Sequence, residues 1–156
     1  MNVCRIILLS TLLLLSACMN KANESALEPD RNANDDLQLT KLSSYGIYDQ
    51  NPANKAKNML SKHDGISRIR AANDRNDLIV AVDVKQHKRF QLKSIEKEMR
   101  KELNESFSDL EVTFSTDQKI LLELKKVEEA IENDSLSNEE LEDMLKKIKQ
   151  LSKEET

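Results

Sequence analysis

Leu78-Ile79-Val80-Ala81-Val82-Asp83-Val84 is a β-strand on composition alone, apolar at every position but one and free of glycine and proline. Leu78, Val80, Val82 and Val84 fall on one face, and Ile79 with Ala81 gives the other face apolar character too. Ahead of it, Asn73-Asp74-Arg75-Asn76-Asp77 is a polar turn and Ile66 to Ala72 a second strand, so the pair reads as a hairpin. Upstream, Asn51-Pro52 marks a helix start, with Asn51 at the N-cap and Pro52 at the first helical position, where no N–H is needed. Ala53, Ala56, Leu60 and His63 then share a face with Met59 beside them, and Gly65 is expected as the stop.

Downstream, Lys85 to Arg89 is a basic connection into a second helix. Its apolar stripe is Leu92, Ile95, Met99 and Leu103, continued by Phe107, while Lys93, Glu96, Lys97, Arg100 and Lys101 take the other side. Glu96 and Arg100 have the spacing of a helical ion pair. Leu110-Glu111-Val112-Thr113-Phe114 alternates strictly and predicts a third strand. Thr116 or Asp117 can cap the next helix, whose seam is Ile120, Leu124, Val127 and Ile131. Ser137 and Glu140 have capping-box spacing, and Leu136 with Leu141 sits at staple positions. That last helix carries Leu141, Met144, Leu145 and Ile148, and only Asn133 to Leu136 separate it from its predecessor, so an antiparallel helical hairpin follows. The expected fold class is α+β, in the order helix, strand, strand, helix, strand, helix, helix. One small three-stranded sheet covered on one face by two helices accounts for the central five elements.

The chain has 156 residues, 38% hydrophobic and 3% aromatic, with no Trp and two glycines, Gly46 and Gly65. That composition suits one modest domain with appendages and leaves no glycine-rich phosphate loop. The formal charge is −4, or −5 once Arg5 is discounted, which argues against a general attraction to nucleic acid.

The N-terminus is different in kind. Of residues 1–17 twelve are apolar. The run Ile6 to Leu15 would be roughly 15 Å as a helix, too short for a hydrocarbon core of about 30 Å, so it reads as the h-region of a signal peptide. Leu15-Ser16-Ala17-Cys18 follows, and looks like a bacterial lipobox: cleavage between Ala17 and Cys18 leaves a cysteine whose sulfur carries diacylglycerol. Two acyl chains give stable anchoring, since each buried CH₂ contributes about 0.8 kcal/mol. Cys4 leaves with the leader, so no free thiol or disulfide is expected. The domain plan is a lipoprotein signal peptide over 1–17, a lipid-anchored tether over 18–49, an α+β domain over 50–132 and a C-terminal helical extension over 133–156. The tether is rich in Asn, Asp, Ser and Lys, with an r.m.s. reach of about 30 Å as coil. Its apolar pieces, Leu37/Leu39/Leu42 and Tyr45/Ile47/Tyr48, suit docking on the domain or on a partner.

Together the lipobox, the polar tether and the run from Asn51 through Phe114 resemble the YhcN/YlaJ sporulation lipoproteins of endospore-forming Gram-positive bacteria. The matching pieces are Asn54-Lys55-Ala56-Lys57 leading to Asp64-Gly65-Ile66, then Asp77-Leu78-Ile79-Val80-Ala81-Val82. They continue in the charged helix around Lys97 to Glu105 and in Val112-Thr113-Phe114-Ser115-Thr116-Asp117. The resemblance covers roughly residues 45–132. Charged Asn73–Asp77 departs from the glycine-containing turn usual there, and Ser137–Thr156 is not a family-wide feature. The resemblance implies a spore-associated membrane lipoprotein connected with sporulation, germination or outgrowth, and it brings no catalytic residues. The element order is also similar to BON-type and ring-building modules of envelope proteins, by fold analogy alone.

Chemistry is sparse. His63 and His87 are the acid/base candidates; as a metal pair they lack short helical spacing and a third ligand, and a cap and a solvated loop fit them better. Carboxylates such as Glu128/Glu129 and Glu139/Glu140/Glu142/Asp143 read as solvated helix faces. Asp74, Asn76 and Asp77 are too few for a calcium loop. Gly-x-Ser-x-Gly is absent. Lys85, Lys88, Arg89, Lys93 and Lys97 form a basic patch that suits anionic headgroups, an acidic partner or an ordinary solvated loop. The expected function is that of a non-enzymatic, lipid-anchored interaction module outside the cytoplasm, at the spore membrane. No cofactor is expected beyond the diacylglycerol on Cys18, and the expected partners are membrane lipid and envelope or spore proteins. The alternative is an envelope enzyme or accessory subunit acting on cell wall.

Overall fold

The computed structural model describes residues 39, 41–42 and 46–154; Ala17, Cys18, Leu37 and Tyr45, with the leader, lie outside them. The central five elements are α1 (Asn51–Leu60), β1 (Ile66–Asn73), β2 (Asp77–Val84), α2 (Leu92–Ser106) and β3 (Glu111–Ser115). The hairpin helices are α3 (Gln118–Glu132) and α4 (Asn138–Glu154). A 3₁₀ helix, Gln86–Gln91, runs directly into α2. The fold class is α+β, as the patterning predicts.

The sheet order is β1-β2-β3, so β2 is central. β1 and β2 pair antiparallel and β2 and β3 parallel, with α2 as the crossover that parallel pairing requires. Ser67 is an extra residue between the pairs Ile66↔Val84 and Arg68↔Asp83. This bulge is why Ile66 and Ile69, three apart, reach the same core. The turn is built by Asp74, whose Oδ1 accepts from the N–H groups of Asn76 and Asp77 at 2.8 Å each.

Both faces of the sheet are covered: α1 and α2 share one, as expected for the central five elements, and the hairpin helices take the other. Leu78, Val80, Val82 and Val84 pack with Leu60 of α1, Met99 and Leu103 of α2, and Phe114. Ile79 and Ala81 pack with the α3 seam Ile120, Leu124, Val127 and Ile131, and with Leu141, Leu145 and Ile148 of α4. The C-terminal helix is therefore part of the domain. Its start is the expected capping box, with Ser137 N–H donating to Glu140 Oε2 at 2.8 Å and Glu140 N–H to Ser137 Oγ at 3.3 Å. Further along, Lys149 Nζ lies 2.7 Å from both Asp77 Oδ1 and Glu111 Oε2, pinning α4 across the starts of β2 and β3. Burial disfavours the Lys149 charge, but those two carboxylates outweigh it and raise its pKa. Asp117 caps α3, accepting from Lys119 N–H at 2.6 Å and Ile120 N–H at 3.3 Å.

Two local expectations are corrected. The cap residue of α1 is Gln50, one residue before Asn51, and the helix ends at Leu60, so Gly65 does not stop it and His63 is not on its face. His63 Nε2 instead meets Glu102 Oε2 of α2 at 2.6 Å. The approach segment also docks before residue 50. Asn54 clasps the backbone of Leu42, accepting from its N–H at 2.9 Å and donating to its carbonyl at 2.7 Å. Ile47 and Tyr48 pack against the second core. Tyr48 O–H donates to Glu142 at 2.5 Å, a bond that raises the phenol's pKa.

The two helical layers meet at the outer edge of β1, around Glu128. Read from sequence as part of a solvated face, Glu128 is 1% exposed. Its Oε1 accepts from Lys57 Nζ at 3.0 Å and from Ala71 N–H at 3.1 Å, and its Oε2 from Arg70 at 2.7 Å. Burial lowers the pKa of Lys57, itself 2% exposed, and Glu128 opposes the shift. Two residues further along β1, the Gln50 amide accepts from Asn73 N–H at 3.1 Å and donates to Asn73 O at 2.7 Å, copying a neighbouring strand. The Asn73 side chain in turn accepts from Ala53 N–H at 3.0 Å, serving the start of α1.

Removing one partner of a buried ion pair strands the others. Glu128→Leu is expected to lower the unfolding free energy by roughly 3–5 kcal/mol, with Lys57→Met added on top recovering part of the loss. Urea denaturation of the single and double variants measures both effects, and a wild-type midpoint for the single variant would mean that the cluster holds nothing.

Candidate functional site

Two surfaces remain after the cores are accounted for. The first is the basic segment. Lys85 N–H donates to Gly65 O at 2.7 Å, which brings the 3₁₀ helix against the turn before β1. Gly65 has φ +95, and a Cβ there would lie 2.7 Å from Lys88 Cγ, so glycine is needed for backbone and space alike. Lys88 Nζ meets Asp64 at 3.1 Å and lowers that carboxyl's pKa. Arg89 lies 3.6 Å from Asp83, whose other oxygen takes Arg68 at 2.8 Å. Among the described residues Lys85, Lys93 and Lys97 have no acidic partner within ion-pair distance. Four of the five predicted basic residues thus lie on one continuous stretch of 3₁₀ and α-helix, Lys85 caps its start, and two of the five are paired. At its centre sits Phe90, which the sequence reading passed over and which is 81% exposed.

The second surface is the outer edge of β3. Glu111 N–H donates inward to Asn76 O at 2.7 Å, so Val112 and Phe114 present their backbone groups outward. The Phe114 carbonyl confirms this direction by accepting from Arg100 at 3.0 Å. A cleft of about 770 Å³ runs along this edge, lined by Glu96 and Arg100 of α2, Val112 to Asp117, and Ser152 and Lys153 of α4. Arg100 stacks near the Phe114 ring at 5.6 Å and pairs with Glu96 at 2.8 Å, as its spacing predicts.

The remaining candidates are structural or solvated. Asp74 serves its own turn, Asp77 holds Lys149, His63 pairs with Glu102 and His87 is exposed. Among the described residues no group of three His, Cys, Asp or Glu side chains is arranged to hold a metal ion. No helix of the described residues is long and apolar enough to cross a membrane. Comparison with protein-family models, curated proteins and solved structures finds no match.

Asp83 links the basic segment to the sheet, bound by Arg68, by Gln118 at 2.9 Å and by Ser67. Burial alone would raise its pKa, but these bonds outweigh it and hold the carboxyl below its ordinary range. A depressed folded pKa means stability present above the ordinary aspartate value of about 3.9 and lost as pH falls through the folded value. Asp83→Asn is therefore expected to be less stable near neutrality and to lose less stability on acidification below about pH 4. Urea midpoints measured across that range check it, and parallel acid limbs for the two proteins would refute it.

Proposed function

We propose that the chain is a lipid-anchored, non-enzymatic interaction module of the spore envelope, held at a membrane surface by diacylglycerol on Cys18. The reading rests on the lipobox Leu15–Cys18, the polar stretch that follows, and the resemblance to sporulation lipoproteins. The single structural observation that carries the interaction role is the contrast between the two sheet edges. On β1 the edge groups of Ala71 and Asn73 are taken by the buried side chains of Glu128 from α3 and Gln50 from the approach segment, whereas β3 keeps outward backbone groups along a cleft, with the Phe114 carbonyl alone held by the exposed Arg100. An edge of that kind accepts an extended segment of another protein by strand addition, with alternate side chains entering the cleft. Surface confinement supplies the rest: a tethered domain meets membrane-proximal partners at a raised effective concentration.

Two measurements test the reading. Metabolic labelling with fatty acid is expected to mark the wild-type chain and not Cys18→Ala, which should leave the membrane fraction; an unlabelled wild type would remove the anchor. Val112→Pro deletes an outward N–H while sparing the ladder to β2, as edge prolines do. Crosslinking from spore membranes should recover neighbours with the wild type and lose them with Val112→Pro at unchanged circular dichroism. Retention of the same neighbours would exclude the β3 edge.

A further inference from the structure

We infer that the 3₁₀ helix Gln86–Gln91 is a second membrane contact, in which the Phe90 ring enters the interface of an anionic bilayer while the flanking cations meet its phosphates. Phe90 is 81% exposed, the most exposed large apolar side chain among the described residues; Leu122, at 53%, sits between charged neighbours on α3. Packing gives no reason for an aromatic there. The 3₁₀ helix buries none of its residues, and α2 takes up its apolar stripe only from Leu92 onward.

The surroundings specify the occupant. Helical spacing sets Phe90, Lys93 and Lys97 along one side, and Lys85, Lys88 and Arg89 precede the ring. Three neighbouring acids are engaged, Asp64 by Lys88, Asp83 by Arg68 and Arg89, and Glu96 by Arg100, and the exposed Glu98 offsets only one of the five cations. The segment is thus cationic in a chain whose net charge is −4. A protein partner with a concave acidic socket would match the charges, but such a socket must fit both ring and cations. A fluid anionic interface has no fixed shape: it takes an aromatic ring at headgroup depth and lets lysine stems lie along the apolar boundary. The inference extends the anchored-module reading, because an anchor brings the domain within reach of headgroups. It does not require Cys18 to be acylated, and its test leaves the anchor out.

The chain contains no Trp, so Phe90→Trp places a single indole reporter at the contact. The chain from residue 18 onward, carrying Cys18→Ser, retains every described element. With Phe90→Trp it is expected to shift its emission to the blue on vesicles of equal parts phosphatidylglycerol and phosphatidylcholine, and not on phosphatidylcholine alone. Lys93→Gln and Lys97→Gln should each weaken partitioning about fivefold, and Phe90→Ala, read by co-sedimentation, about tenfold. An unshifted indole on the anionic vesicles would overturn the inference, as would an equal shift on neutral ones. Binding to poly-glutamate that matches vesicle binding, with no blue shift on either, would assign the patch to an acidic protein instead. Failure of fatty-acid labelling at Cys18 with a retained blue shift would remove the anchor and leave this contact standing.

Discussion

A carboxylate placed where water cannot reach it must be surrounded by donors, and Glu128 draws its donors from two elements and so joins three. Lys57 comes from α1, Arg70 and the Ala71 N–H from β1, and the carboxylate itself from α3. An apolar contact at the same place would tolerate sliding, because hydrophobic burial is non-directional. The hydrogen bonds fix where both helical layers stand against the sheet. They also consume a backbone donor on the outer edge of β1, which an apolar side chain cannot do. The lowered pKa of Lys57 is the physical sign of how dry the site is: burial disfavours its charge, and the Glu128 carboxylate opposes the shift.

Closing β1 has a consequence at the other side of the sheet. A three-stranded sheet has two edges, and the approach segment, α1 and α3 all contribute to shutting one of them. Gln50 does so by imitating a strand with its side-chain amide, and Asn73 returns the bond by serving the start of α1. At β3 the helices α2 and α4 stand on either side of the edge rather than over it, and Arg100 bonds the Phe114 carbonyl while leaning on its ring. An arginine held by its carboxylate neighbour Glu96 can swing away at small cost, since exposed ion pairs contribute about 1 kcal/mol or less. A buried Glu128 cannot. The two edges therefore differ in how readily they open, and not merely in how they look.

Much of this architecture was legible in the chain. The two faces of Leu78–Val84, the stripes of α2, α3 and α4, the Ser137–Glu140 box and the Glu96–Arg100 pair all follow from spacing, because each depends on residues close in sequence. What escaped depends on residues far apart. Lys57 and Glu128 sit on the flanks of their own apolar stripes, Lys57 four residues after Ala53 and Glu128 four after Leu124, and a flank position does not say whether a second layer will cover it. The bulge at Ser67 is equally silent locally, since only the register with Val84 and Asp83 defines it. Gly65 illustrates the opposite error: its helix-stop appearance is real, but its requirement is the close passage of Lys88, a residue from beyond the hairpin. Phe90 was hidden because an aromatic ahead of an apolar stripe resembles the stripe's first member.

The docking of Leu42 on Asn54 also changes the scale on which an anchored domain would operate. Between Cys18 and Leu42 lie about two dozen residues, which at about 3.4 Å each cannot span more than about 80 Å. As coil, the same length has an r.m.s. reach of about 27 Å, comparable to the size of a small domain. A longer tether would let the domain orient freely, and a much shorter one would force whichever face lies nearest Leu42 onto the surface. If the chain is anchored, a link of this length would leave orientation to whatever face has affinity for the bilayer. The contact inferred at Phe90 would be such a face, and it belongs to the same crossover that leads through α2 to β3. Holding that crossover at the membrane would limit the directions from which a partner segment can approach the open edge, which is how a surface contact of modest strength can govern a binding site it never touches.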